Sequence, residues 1–211
     1  MIRHGFAIDL HVHSRHSEDN DADPEECIAR AIGRGLQGIA FTEHYSYAAS
    51  AAIEPLRERY RASLLVLRGV EFSAAEGHCL VFGVDTDRFP RYAPVDELVR
   101  LVNARGGAVV PSHPYRGGSG LGDRILSLPG IAAIEGHNGC NAGGFNRLAL
   151  EAARRLELPV TGGSDAHSPA EVGACFTVFR ERVTADTLAA LLRAGDYEAV
   201  DDGRRSRGLF R

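Results

Sequence analysis

The chain has 211 residues, 44% hydrophobic and 25% charged, with a formal net charge of −4 at neutral pH. That length buries a full core in one domain, and the balance is that of an ordinary globular protein. The acidic balance argues against broad binding of nucleic acid or anionic membrane, and no apolar run is long enough to span a bilayer.

Short apolar strands alternate with helical patterns from end to end. A strand over 6–10 precedes a helix opening at Asp23-Pro24-Glu25-Glu26, where an Asp cap, Pro in the first turn and following acids form a strong start signal. A strand follows at 38–42, a helix at 53–63, and strands at 64–72 and 78–83 joined by a small-residue link, consistent with a hairpin. Next come a helix at 95–105, a strand at 108–112, a helical piece at 125–128, a strand at 131–135 and a helix at 145–156. Strands at 159–163 and 176–179 and a helix at 185–194 complete the pattern. This alternation predicts parallel strands with crossover helices, an α/β fold closed as one barrel-like domain.

Cys27, Cys79, Cys140 and Cys175 are far apart and form no Cys-x-x-Cys pair. With no signal-peptide pattern at the N-terminus, they read as buried thiols of a cytoplasmic protein. Cys140 is expected to be structural. Arg204, Arg205, Arg207 and Arg211 mark a basic, solvated tail over 201–211, after a domain over 1–200.

The chemistry gathers where strands end. His11 and His13, two apart in an extended segment, project to the same side. Asp19 lies beyond them, and Glu43-His44, Glu71, His78, Ser112-His113-Pro114, Glu135-Gly136-His137-Asn138 and Asp165-Ala166-His167 accompany later strands. None of the nine histidines falls in a predicted helix. The rim of strand ends is where barrel enzymes build their sites, and imidazole with carboxylate suits zinc, manganese or iron. A bridging carboxylate would hold two ions close together. His4 and His16 read as surface residues, with Glu18 the alternative to Asp19 as a ligand. The glycine-rich stretch 117–122 lacks the lysine and strand–helix setting of a nucleotide loop and reads as a flexible rim loop.

These motifs resemble the PHP (polymerase and histidinol phosphatase) superfamily. The matches are Asp9-Leu10-His11-Val12-His13-Ser14 with Ser17 and Asp19, Thr42-Glu43-His44, Gly69-Val70-Glu71, His78, Ser112-His113-Pro114 and Gly163-Ser164-Asp165-Ala166-His167, in the family's order from about residue 7 to 195. The resemblance implies a distorted (β/α)7 TIM-like barrel with two or three divalent metal ions, manganese, zinc or iron. His11, His13, Glu71 and Asp165 would hold one ion. Glu71 would bridge to a second, on His78 and His113, and Asp19, His44 and His167 would hold the third. The family usually has Asp where this chain has Glu43, an acid expected to orient a histidine.

The implied activity is hydrolysis of a phosphate ester by a metal-activated hydroxide, with Glu71, His113, Asp165 and Arg116 as the catalytic group. Arg116 would grip the phosphate, a surface rim position being its alternative, and His137 and Asn138 would contact substrate or orient a ligand. A small phosphomonoester is the expected substrate. Nucleotide or short-oligonucleotide diesters, an amidohydrolase-like attack on carbon, and a non-catalytic metal-binding module are the alternatives. Neither membrane association nor an obligate protein partner is expected.

Overall fold

The computed structural model describes residues 5–142 and 144–203. His4 and the arginines of the basic tail lie outside the described residues.

The first strand, β1 (Phe6–Val12), leads to α1 (Pro24–Gly33), which starts where the sequence signals: the Asp23 carboxylate caps it, accepting the Glu25 N–H at 2.8 Å. After β2 (Gly38–Phe41), a 3-10 turn (Tyr47–Ile53) runs into α2 (Glu54–Tyr60). The single strand expected over 64–72 is broken into β3 (Leu65–Arg68) and β4 (Val70–Ser73). The break is at Gly69, where an added Cβ would lie 2.8 Å from the Phe82 ring. Then come β5 (His78–Phe82), α3 (Val95–Asn103), β6 (Ala108–Pro111) and a 3-10 turn (Gly122–Ser127). The chain continues with β7 (Ile134–Asn138), α4 (Phe145–Leu156), β8 (Val160–Gly163) and a short 3-10 turn (Pro169–Glu171). It ends with β9 (Cys175–Phe179), α5 (Leu188–Ala194) and a strand the sequence pattern missed, β10 (Tyr197–Asp201).

The strands form three sheets, ordered β10-β9-β1-β2-β3, β4-β5-β6 and β7-β8. Among the described strands only β1-β2-β3 and β7-β8 pair in parallel, which corrects the expectation of parallel pairing outside the hairpin; the hairpin itself is present as β4-β5. β5 runs antiparallel to both neighbours; its link from β4 closes as a tight turn, Ala74 N–H to the Gly77 carbonyl at 2.9 Å, too short for a crossover. β9 is antiparallel to β1, and β10 to β9.

No continuous closed ladder joins the sheets among the described residues; they meet at seams. Glu71 N–H bonds the Thr42 carbonyl at 3.2 Å, Ala132 N–H the Val109 carbonyl at 2.8 Å, and Asp165 N–H the His11 carbonyl at 2.7 Å. One apolar cluster, including Ile8, Leu10, Ala40, Leu67, Leu80 and Val110, draws on strands of two sheets and packs against α5. Separate clusters seat α1 against β1 and β2, and α3 and α4 against the other sheets. No described helix is long and apolar enough to cross a membrane. Cys27, Cys79 and Cys175 are buried, and none of the four cysteines is in a disulfide.

Asp9 ties the β1 seam together. Fully buried, it accepts N–H bonds from Ser164 at 2.9 Å and Gly173 at 2.7 Å, joining β1 to the segments after β8. Replacing it, Asp9→Ala, orphans these buried donors and should cost about 2–4 kcal/mol in urea unfolding; a loss below about 0.5 kcal/mol would show that the seam does not depend on Asp9.

Candidate metal centre

The arrangement of the site begins with a backbone irregularity. Along β1, Ile8 and Leu10 belong to the cluster shared between sheets, whereas Val12 packs in the cluster against α1, so the alternation breaks after Leu10. The pairing of β1 with β2 shifts register between Asp9 and Val12. A bulge of this kind re-aims side chains. It turns His11 and His13 together, their Nε2 atoms 3.0 Å apart. A second register shift falls between Glu135 and His137 in β7. Gly163 admits the neighbouring strand: a Cβ there would lie 2.5 Å from that of His11.

Other segments bring side chains to the same place. Glu71, in β4, approaches His11 and His13 at 3.5 and 3.4 Å through Oε2. Asp165, after β8, lies 3.3 Å from each imidazole. His113 follows β6, and His78 begins β5; because β5 runs the other way, its N-terminal end reaches the same rim. Both contact Glu71 Oε1, at 2.7 and 3.3 Å. His44 reaches Glu71 Oε2 at 3.1 Å and Asp19 at 3.3 Å, and His167 lies 3.7 Å from Asp19. His113 and Asp165 carry positive φ angles, 31° and 56°, the kind of strain found at ligand-binding positions.

All nine expected ligands thus converge. Three groups have donor atoms close enough for an ion: His11, His13, Glu71 and Asp165; His44, Glu71 and His78; and His13, His44 and His167. The first is the quartet the resemblance implied. In the other two, His44 stands beside Glu71 and His78 where His113 was expected, and His13 joins His44 and His167 where Asp19 was expected. His16 and Glu18 line a neighbouring pocket instead.

A layer of hydrogen bonds orients these groups. Glu135, to which the sequence reading gave no role, accepts from His11 Nδ1 at 2.8 Å and from the His113 N–H at 2.8 Å. The only sequence signal for it was an acid ending an apolar strand. Glu43 is buried and accepts from the Ser14 and Ser17 hydroxyls, both at 2.5 Å, while Ser17 Oγ lies 3.3 Å from His13 Nδ1. Glu43 therefore acts on His13 through Ser17. Arg116 is turned into the site, with Nη2 2.8 Å from Asp165 Oδ2 and 2.9 Å from Asn138 Oδ1, and Nε 2.9 Å from Asn141 Oδ1. Cys140 donates to the Asp165 carbonyl, and burial holds its thiol protonated. The 117–122 stretch is more tightly held than a free loop, since Ser119 accepts from the His78 N–H and Gly120 lies against Pro114.

Burial pushes the carboxyls of Glu71 and Asp165 up, but the imidazoles outweigh it and hold both well below the usual range. Burial pushes His11 and His13 down, and the surrounding carboxylates reverse this, leaving His13 at about 9 and His11 well above its ordinary value. The cluster thus keeps positive charge against its acids. Glu71 Oε2 and His44 Nδ1 are buried 3.1 Å apart without hydrogen-bond geometry between them. Buried imidazole and carboxylate atoms that close without a hydrogen bond fit a divalent cation, and the His11–Glu135 contact is the kind that fixes the tautomer of a metal-binding histidine.

The cleft over these groups is about 550 Å³ and is lined by Asp19, Glu71, His113, Arg116, Phe145 and Asp165, among others. That is the size of a small-molecule site.

No curated protein matches the chain in sequence. The fold is shared with solved structures. PsfC from Pseudomonas syringae superposes with a TM-score of 0.70 at 21% identity, over 92% of this chain and 90% of that one. A two-domain Bacteroides vulgatus protein containing a predicted PHP-like metal-dependent phosphoesterase gives 0.71 at 20%, over 92% of this chain and 64% of that one. An amidohydrolase from Chromobacterium violaceum, with bound sulfate and no metal, gives 0.63 at 23%, over 79% and 89%. The PHP-associated family model matches residues 143–197, which contain Asp165 and His167. The PHP domain model matches residues 9–115, just over half of the chain and the segment carrying the other seven converging ligands; the chain belongs to the PHP family.

Proposed function

We propose that this chain is a metal-dependent hydrolase of phosphate esters, acting on a small phosphomonoester and holding two or three divalent ions of manganese, zinc or iron. The observation that carries this reading is the convergence of six histidines and three acids at one cleft, with buried ligand atoms that make no hydrogen bond. His11, His13, Glu71 and Asp165 would hold one ion, Glu71 with His78 and His113 a second, and Asp19, His44 and His167 a third. When bound, such ions make water nucleophilic near neutral pH and neutralise charge on a phosphoryl group.

The chain's own residues do the rest. Glu71 presents one carboxylate oxygen to each side of the cluster. Glu135 fixes His11 and the backbone of His113. Arg116, braced by two asparagines, offers a guanidinium at the cleft to the ester's non-bridging oxygens. The cleft volume supports a small substrate over a long polymer. We read the three sheets as arcs of one distorted (β/α)7 barrel with the site on one rim, and place the protein in the cytoplasm because its four cysteines form no disulfide.

Phosphate release from phenyl phosphate, followed with manganese, zinc or iron added, tests the function; bound metal with turnover supports it, and no metal with no turnover would sink it. Glu71→Ala and Asp165→Ala should each lower the rate by at least about a hundredfold with near-native circular dichroism. Unfolding of both would instead mark these acids as structural.

Two further outcomes concern the ligands. Glu135→Gln should weaken metal affinity about 10–100-fold, measured by chelator competition, while unchanged affinity would leave Glu135 without an orienting role. Metal must displace the protons held on His11 and His13, so affinity should climb from pH 6 to 9, about tenfold per unit for each proton displaced. A flat profile over that range would contradict the charge arrangement of the metal-free cluster.

A further inference from the structure

A second pocket, about 270 Å³, shares the His44 imidazole with the metal cleft. Tyr45, Tyr92, Phe72 and Arg91 help line it, together with His16 and Glu18. Tyr45 and Tyr92 are 45% and 61% exposed, two of the three large hydrophobic side chains so displayed among the described residues. Both hold positive φ angles, 67° and 54°, which aromatic residues rarely adopt and which persist only where the surroundings impose them.

The surroundings do so here. The Tyr45 N–H bonds the Glu71 carbonyl at 3.2 Å, which ties the ring's backbone to the centre of the metal cluster. On the other wall, Asp87 accepts the Ser46 hydroxyl at 2.9 Å and the Tyr47 and Ala48 N–H groups at 2.8 and 2.9 Å. This carboxylate clamps the segment leading to Arg91 and Tyr92 onto the residues that follow Tyr45. The Ala93 carbonyl, just past Tyr92, accepts the Ala75 N–H at 3.1 Å. Two exposed aromatic rings are thereby held on fixed backbone beside the metal cluster. Rigid rings presented to solvent make a stacking platform, bringing contact area at little entropic cost. Among the described residues no carboxylate pairs with Arg91, and its guanidinium and the Glu18 carboxylate offer a donor and an acceptor at the pocket.

We propose that this pocket is the subsite for the esterified group of the substrate, and that it takes a planar aromatic or heteroaromatic ring. The assignment rests on the phosphate-ester reading of the metal centre, with the phosphoryl group over Glu71 and Asp165 and the ring beyond His44.

Calorimetric binding of phenylphosphonate and methylphosphonate to manganese-supplemented protein tests the subsite separately from the activity. Wild type should bind the phenyl compound about tenfold more tightly. Tyr92→Ala should remove most of that preference, and Tyr92→Phe should keep it. Equal binding of the two phosphonates to wild type, or a preference untouched in Tyr92→Ala, would overturn the proposal. Turnover of phenyl phosphate is followed in parallel. A protein that hydrolyses it without the ring preference loses the subsite and keeps the activity. One that shows the preference, lost in Tyr92→Ala, without turnover keeps the subsite and loses the hydrolase reading.

Discussion

The site depends on one carboxylate placed among five imidazoles. Glu71 faces His78 and His113 with one oxygen and His11, His13 and His44 with the other, while the Ser112 hydroxyl donates to it at 2.8 Å. A buried carboxylate is costly unless it is paired. Asp9, Glu43, Glu135 and Asp165 are buried nearby as well. So much buried negative charge in one region requires compensating positive charge. Protons on His11 and His13 supply part of it in the metal-free cluster, and divalent cations would supply it more completely.

Holding these groups in place requires departures from regular backbone. The register shifts in β1 and β7 turn side chains toward the cleft that regular alternation would send elsewhere. Positive φ at His113 and Asp165 adds strain at the two strand ends where ligands leave the sheet. The surrounding fold supports this through Asp9 at the β1 seam and through the Glu135 carboxylate, which reaches both His11 and His113. The orienting acids thus connect the packing of the strands to the geometry of the ligands.

Much of this was legible in the residues themselves. Helix α1 could be read from Asp23-Pro24, and α4 matches its expected span from Phe145 to Leu156, because caps and helical periodicity act locally. The ligand set was legible because histidines and acids recur at strand ends in one order. What was hidden depends on pairing. The β4–β5 hairpin could be read from its small-residue link, but the antiparallel course of β9 and β10 follows from which strands meet, and local pattern does not report it. The strand expected at 131–135 lies at Ile134–Asn138, so His137 is within the strand rather than beyond it and Glu135 is near its start rather than its end. The role of Glu135 emerges only when β1 and β6 are brought beside β7.

Anomalous X-ray diffraction from crystals grown with manganese tests the central claim most directly, because it locates bound ions independently of any substrate. The account predicts at least two anomalous peaks in the cleft, one coordinated by His11, His13, Glu71 and Asp165 and another sharing Glu71. Peaks elsewhere on the surface, or an ordered cluster of the same side chains with no peak among them, would contradict it.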